Sequence, residues 1–168
     1  MNFVLKKWQT SFIPDVAKYG NNKKIADNLR DAFPFPYTNT DAEWYVNDCI
    51  EKGDKHQICR AIVVDGQAVG SIGVFMKEDV YRKSGELGYW LGESYWNGGI
   101  MTKAVKEICY ESFERFDIIR IFAEPFSYNS GSRRVLEKAD FKLEGVLKKS
   151  VCKHDEIYDS CIYALLKK

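Results

Sequence analysis

The sequence predicts one mixed α/β (α+β) domain spanning residues 1–168, built on a seven-stranded mixed sheet flanked by helices. Three observations predict it. Apolar residues recur with a period near two in seven stretches and near 3.6 in others, in the order β-α-α-β-β-β-α-β-α-β-β. Asp65-Gly66, between two apolar runs, is a strong hairpin signal and starts an antiparallel meander. A long amphipathic helix then separates two strand-like stretches, and such a crossover sets them parallel.

Each element has its own grounds. Phe3 to Trp8 alternates apolar and polar and reads as a first strand. Phe12 to Tyr19 and Ile25 to Leu29 are short helical pieces broken at Gly20-Asn21-Asn22. Pro34 and Pro36 impose an extended turn over Phe33–Tyr37. Thr40 with Glu43 has the spacing of a capping box and opens a helix that ends near Gly53. Gln57 to Val64 and Gln67 to Met76 are the hairpin strands, and Gly85 to Gly92 follows as the third strand of the meander. Asn97-Gly98-Gly99 leads into the long helix, with Met101, Ala104, Val105, Ile108, Cys109, Ser112 and Phe113 on its apolar face. Ile118 to Ala123 is rich in β-branched residues and is the parallel strand. Asn129 or Ser130 caps a helix through Lys138, and Phe141 to Cys152 and Glu156 to Leu166 close the sheet around a Lys153-His154-Asp155 tip.

The totals narrow the function. With 168 residues, 45% of them hydrophobic, the chain fits one domain with a full core. A net charge of +1 supplies no field that points to nucleic acid or an anionic membrane. No apolar run approaches the roughly 20 residues that span a bilayer, and the first residues lack the layout of a signal peptide. Five cysteines without a CxxC pair fit a reduced, cytoplasmic protein with no metal site, although Cys152 and Cys161 could face each other across the last hairpin.

A strand passing through Gly-rich turn into helix gathers free backbone N–H groups and the positive end of a helix dipole at one point. Over Gly85 to Ala104 this arrangement fits an anion site, or simply a tight turn that needs glycine for its dihedrals.

These residues also resemble a known family. Trp96-Asn97-Gly98-Gly99-Ile100-Met101-Thr102-Lys103-Ala104 is similar to the coenzyme A pyrophosphate loop of the GNAT N-acetyltransferases. Glu86-Leu87-Gly88-Tyr89-Trp90-Leu91 resembles the strand before that loop in the RimJ/RimL-like branch, the ribosomal-protein N-terminal acetyltransferases. Asn129-x-x-Ser132 with Val135-Leu136-Glu137-Lys138 and Phe141, and the Phe33–Tyr37 segment, resemble further motifs of the branch in the same order. The quoted motifs also depart from it: Asn97 and Asp140 stand where glycines are usual, and Lys103 where Glu is. Asn and Asp are the residues that best tolerate a left-handed backbone after glycine.

The resemblance implies a GNAT-like fold whose central parallel strands splay apart, and transfer of an acetyl group from acetyl-CoA to a primary amine in a ternary complex. The amine is that of a protein N-terminus or a small molecule, and a homodimer is common in such families. It implies that the amides of Asn97, Gly98, Gly99, Ile100, Met101 and Thr102 hold the diphosphate. The pantetheine arm pairs with backbone near Trp90, Leu91 and Gly92, with help from Asn129, which also reads as a helix N-cap. Lys138, with Arg134, faces the adenosine phosphates or only water.

An amine with a pKa near 10 arrives protonated, so a carboxylate must attract it and relay its proton. Glu86 is the candidate, with Glu144 and His154 as rivals, against the reading of Glu86 as a charge on the solvent side of its strand. Many members of the family place a leaving-group tyrosine at the position matched here by Leu136, which cannot donate a proton. Ser132, one turn earlier, is then the donor to the thiolate. Of the aromatic residues Tyr37, Trp44, Tyr45, Tyr89, Trp90 and Tyr128, Tyr37 is best placed for a substrate role, because two prolines hold it on a rigid turn. The alternative function is a catalytically silent acyl-CoA-binding module, to which the departures at Asn97 and Leu136 point.

Overall fold

The computed structural model describes residues Met1–Lys168. Seven strands form one sheet in the order β1-β2-β3-β4-β5-β7-β6: β1 Val4–Lys6, β2 Gln57–Val64, β3 Gln67–Met76, β4 Ser84–Leu91, β5 Arg120–Ala123, β6 Lys142–Lys153 and β7 Glu156–Leu166. Five α-helices accompany them: α1 Ile13–Gly20, α2 Lys23–Ala26, α3 Asn39–Lys52, α4 Ile100–Arg115 and α5 Ser130–Lys138. The mixed α/β class, the antiparallel meander and the single parallel pair are as the sequence predicts.

β2 shows how the sheet is held. Every residue in it is buried, because both faces are covered. Ile58, Ile62 and Val64 join the larger apolar cluster under α4 and α5, whereas Cys59, Ala61 and Val63 join a smaller one under α1 and α3. That is the two-residue period of a strand read out on opposite faces. Arg60, on the α4 side, is also buried. It is tolerable there because Asp54 binds it at 2.7 and 3.0 Å and Glu111 at 2.8 Å.

The feature that positions the site is the β4–β5 pair. Its parallel register runs Ser84↔Arg120, Gly85↔Ile121, Glu86↔Phe122 and stops, although β4 continues to Leu91. Beyond Ala123 the chain stays with β7, through a bridge between Phe126 and Ser160 and a 2.9 Å bond from the Cys161 N–H to the Pro125 carbonyl. The edge of β4 from Leu87 to Leu91 therefore faces no strand.

Several boundaries differ from the sequence reading. The capping box of α3 is Thr38 with Asp41, not Thr40 with Glu43. Thr38 Oγ1 accepts from the Asp41 amide at 3.2 Å, and Asp41 accepts from the Thr38 amide at 2.8 Å. The two boxes overlap in the sequence, and the helix starts at the earlier one. β1 and β5 are shorter than the apolar runs that suggested them. Cys152 and Cys161 do not face each other: Cys161 is opposite Val146 and Cys152 opposite Ile157, and all five cysteines are free thiols.

Candidate active site

α4 begins without a side-chain cap and without an acidic residue in its first turn. The first main-chain bond at its start runs from the Lys103 N–H to the Gly99 carbonyl, at 3.3 Å. The amides of Gly98, Gly99, Ile100, Met101 and Thr102 consequently have no protein acceptor, and they sit at the positive end of a 16-residue helix. Asn97 and Gly99 bend the chain into this shape with φ of 63° and 75°, so Asn97 takes the left-handed conformation that glycine usually supplies. The side chains of Ile100 and Met101 lie in the core, which leaves only their amides for an anion.

The turn before the loop is braced. Trp96 donates its indole N–H to the Leu91 carbonyl at 2.7 Å, Asn22 donates to Glu93 at 2.8 Å, Lys24 pairs with Glu93, and Tyr95 packs edge-on against Tyr19 with centroids 5.7 Å apart. Gly92 closes the strand: its N–H donates to the Val69 carbonyl and its carbonyl accepts from Tyr95. It is glycine because a Cβ would come within 3.1 Å of the Tyr19 ring and 3.2 Å of the Val69 carbonyl. Trp90 and Leu91 bury their side chains on opposite faces, and the Leu91 carbonyl is already taken by Trp96.

Across the β4 edge stands α5. Asn129 caps it by accepting from the Ser132 amide at 3.1 Å, and the Ser132 hydroxyl lies 2.7 Å from the hydroxyl of Tyr89 on β4. Burial raises the Tyr89 phenol above its usual range, so it stays protonated. Leu136 is fully buried in the core and takes no part in the site. Arg134 and Lys138 are exposed on α5. The helix closes on Asp140 at φ 69°, with Phe141 N–H to Leu136 O and Asp140 N–H to Glu137 O, the two bonds of a Schellman turn.

The carboxylates separate clearly. Glu86 ends the parallel ladder and is bound by Arg30, with the Lys77 ammonium 3.8 Å away. Glu144 is held by both guanidinium nitrogens of Arg120 at 2.6 and 2.8 Å, which keeps it below the usual carboxylate range. His154 reaches Asp27 at 2.8 Å and so ties the β6–β7 tip to the end of α2. Tyr37 is only 6% exposed. Its ring packs on Phe33 inside the α1–α3 core, and burial raises its phenol. The two prolines thus anchor the ring inward rather than present it on the surface of the turn.

One carboxylate escaped sequence reasoning. Glu124 follows the last residue of β5 and lines a cavity of about 290 Å³ with Arg30, Asp31, Ser150, Lys153 and Ser160. It accepts from Ser160 at 2.9 Å and has no basic partner. Nothing local marks Glu124; only the pairing of its distant neighbours does. The Tyr89–Ser132 contact was equally hidden, because its partners are 43 residues apart.

The family model described as "Acetyltransferase (GNAT) domain" matches residues 2–142. The uncharacterized N-acetyltransferase YnaD of Bacillus subtilis is 28% identical, over 98% of this chain and 91% of its own. The uncharacterized N-acetyltransferase YoaA of the same organism is 28% identical over 60% of this chain, which spans only 56% of YoaA. Among solved structures, the RimL ribosomal L7/L12 alpha-N-protein acetyltransferase in complex with coenzyme A superposes with a TM-score of 0.87 at 21% identity, over 99% of this chain and 94% of that one.

Proposed function

Because the chain belongs to the GNAT acetyltransferase family, we propose that it transfers the acetyl group of acetyl-CoA to a primary amine. The observation that carries this reading is the coincidence of two features: five unpaired amides at the uncapped start of α4, and the unpartnered edge of β4 beside them. The amides of Gly98 to Thr102 suit a diphosphate, since N–H groups at a helix start bind phosphate without a cationic side chain. The open edge of β4 from Leu87 to Leu91 gives an extended arm a main chain to pair with, and a free N–H there is an oxyanion donor. Asn129, Arg134 and Lys138 on α5 flank the arm and the outer phosphates.

Acetyl-CoA supplies a thioester, and this chain's residues do the rest. The Tyr89–Ser132 pair holds two hydroxyl hydrogens, of which one is shared between the oxygens. The other is available to the departing sulfur. Ser132 is therefore the assigned donor and Tyr89 its positioning residue. Glu86 fixes Arg30 where the gap opens, and protonating it would break that ion pair. Its role is to shape the approach of the amine. The relatives include proteins named for acetylating ribosomal proteins, and the acceptor here is assigned as the amine of a peptide N-terminus or of a small molecule.

Release of free thiol from acetyl-CoA with a panel of amines tests the proposal. Turnover on at least one amine is the expected result. Tight binding of acetyl-CoA without turnover on any amine makes the chain a silent acyl-CoA-binding module instead.

A further inference from the structure

We infer that Glu124 is the residue that receives the acceptor's ammonium group and takes its proton. This rests on the acetyl-transfer reading for the identity of the reaction, but the ammonium site itself stands on the cavity.

The argument starts from charge. Four charged side chains line the cavity between the end of β5, the turn that follows α2 and the β6–β7 hairpin. Arg30 is paired with Glu86, and Lys153, almost fully buried, is paired with Asp31 at 2.8 Å. Glu124 alone has no opposite charge within ion-pair distance. Glu86, by contrast, has two cations beside it, Arg30 and Lys77. A half-buried carboxylate in that position lacks only a cation.

The position agrees with the chemistry. The β4–β5 ladder ends at Glu86↔Phe122, and Glu124 lies two residues past Phe122, on the β5 side of the opening gap. An amine reaching a thioester laid along β4 passes this point. The volume of about 290 Å³ holds the end of an acceptor chain and is at the small end of the range for ligand sites.

The carboxylate is also held in place. Ser160, fully buried, donates to Glu124 at 2.9 Å, and the exposed Ser150 lies 2.7 Å from Ser160. The step is balanced: the ammonium gives one proton to the Glu124 carboxylate, which releases it to water in the open cavity. The freed nitrogen pair forms the C–N bond as the C–S bond breaks. The second nitrogen proton ends on the sulfur, directly or through the Ser132–Tyr89 pair.

The test is Glu124→Gln, which keeps the shape and the Ser160 contact, with a melting curve to show that the variant folds. Binding of two probes, spermidine and a serine-initiated tripeptide amide, is measured by calorimetry on the free protein and on the protein saturated with coenzyme A. Binding of at least one probe is expected to weaken about ten- to a hundredfold, the worth of one charge-assisted hydrogen bond. Affinity for acetyl-CoA is expected to be unchanged, and turnover to fall about a hundredfold or more. Unchanged probe binding in the variant, or no probe binding by the unaltered protein, overturns the assignment of Glu124. Failure of the unaltered protein to bind acetyl-CoA overturns the acetyl-transfer reading instead, and the two results are separable.

Discussion

The hydroxyl of Tyr89 lies 2.7 Å from that of Ser132, and this contact joins β4 to α5 across the edge that no strand covers. The Ser132 hydroxyl is free to make it because Asn129 caps the helix through the Ser132 amide, not its side chain. Ser132→Ala should thus leave the cap and the fold intact while lowering kcat by about ten- to a hundredfold with little change in KM. Tyr89→Phe should have a smaller effect on kcat, since Ser132 remains. Steady-state kinetics of the two variants check this, and a kcat unaffected by both removes the pair from the reaction.

The bend before α4 makes a prediction about glycine. At Gly99, with φ 75°, a Cβ has nothing within 4 Å, so the only cost of Gly99→Ala is the left-handed backbone, about 1 kcal/mol. The new methyl group also stands beside the free amides, and affinity for coenzyme A should fall. Asn97→Gly, at φ 63°, should change affinity little. Urea unfolding and calorimetry distinguish the two effects.

Glu86→Gln should release Arg30 at the rim of the cavity. The expected result is a rise of about two- to fivefold in KM for the amine, the worth of a partly exposed ion pair, with acetyl-CoA affinity unchanged. A loss confined to kcat would return Glu86 to the role of base.

How much of this was legible in the sequence depends on the range of the interactions. The Asp65-Gly66 hairpin and the Asn129 cap are decided by neighbours within four residues, and both appear where the sequence puts them. The cap of α3 is also local, yet Thr38-x-x-Asp41 and Thr40-x-x-Glu43 overlap, and composition alone does not choose between them. Glu86 and Glu124 look alike in the sequence. What separates them is that Arg30, 56 residues from Glu86, bonds one and not the other. The inward direction of Tyr37 is hidden for a related reason. Prolines make a turn rigid, but packing against Phe33 decides which way the ring points.

Acid should weaken the fold in a defined window. Arg60 beside Asp54 holds its carboxyl at about 2 in the folded chain, against an ordinary value of 3.8. The folded state therefore binds fewer protons at this site than the unfolded one. The resulting stability is complete above pH 4 and is lost as pH falls towards 2. Asp54→Asn should be less stable at neutral pH, because Arg60 is buried, and the gap to the unaltered protein should narrow between pH 4 and 2. Urea midpoints across that range measure it, and a constant gap contradicts the assignment.

The most direct measurement is a crystal structure with coenzyme A bound. Diphosphate oxygens should lie about 2.7–3.2 Å from amide nitrogens between Gly98 and Thr102, with the pantetheine arm along β4 between Leu87 and Leu91. A diphosphate bound elsewhere, or β4 and β5 paired along their full length with no room for the arm, would contradict the proposed chemistry.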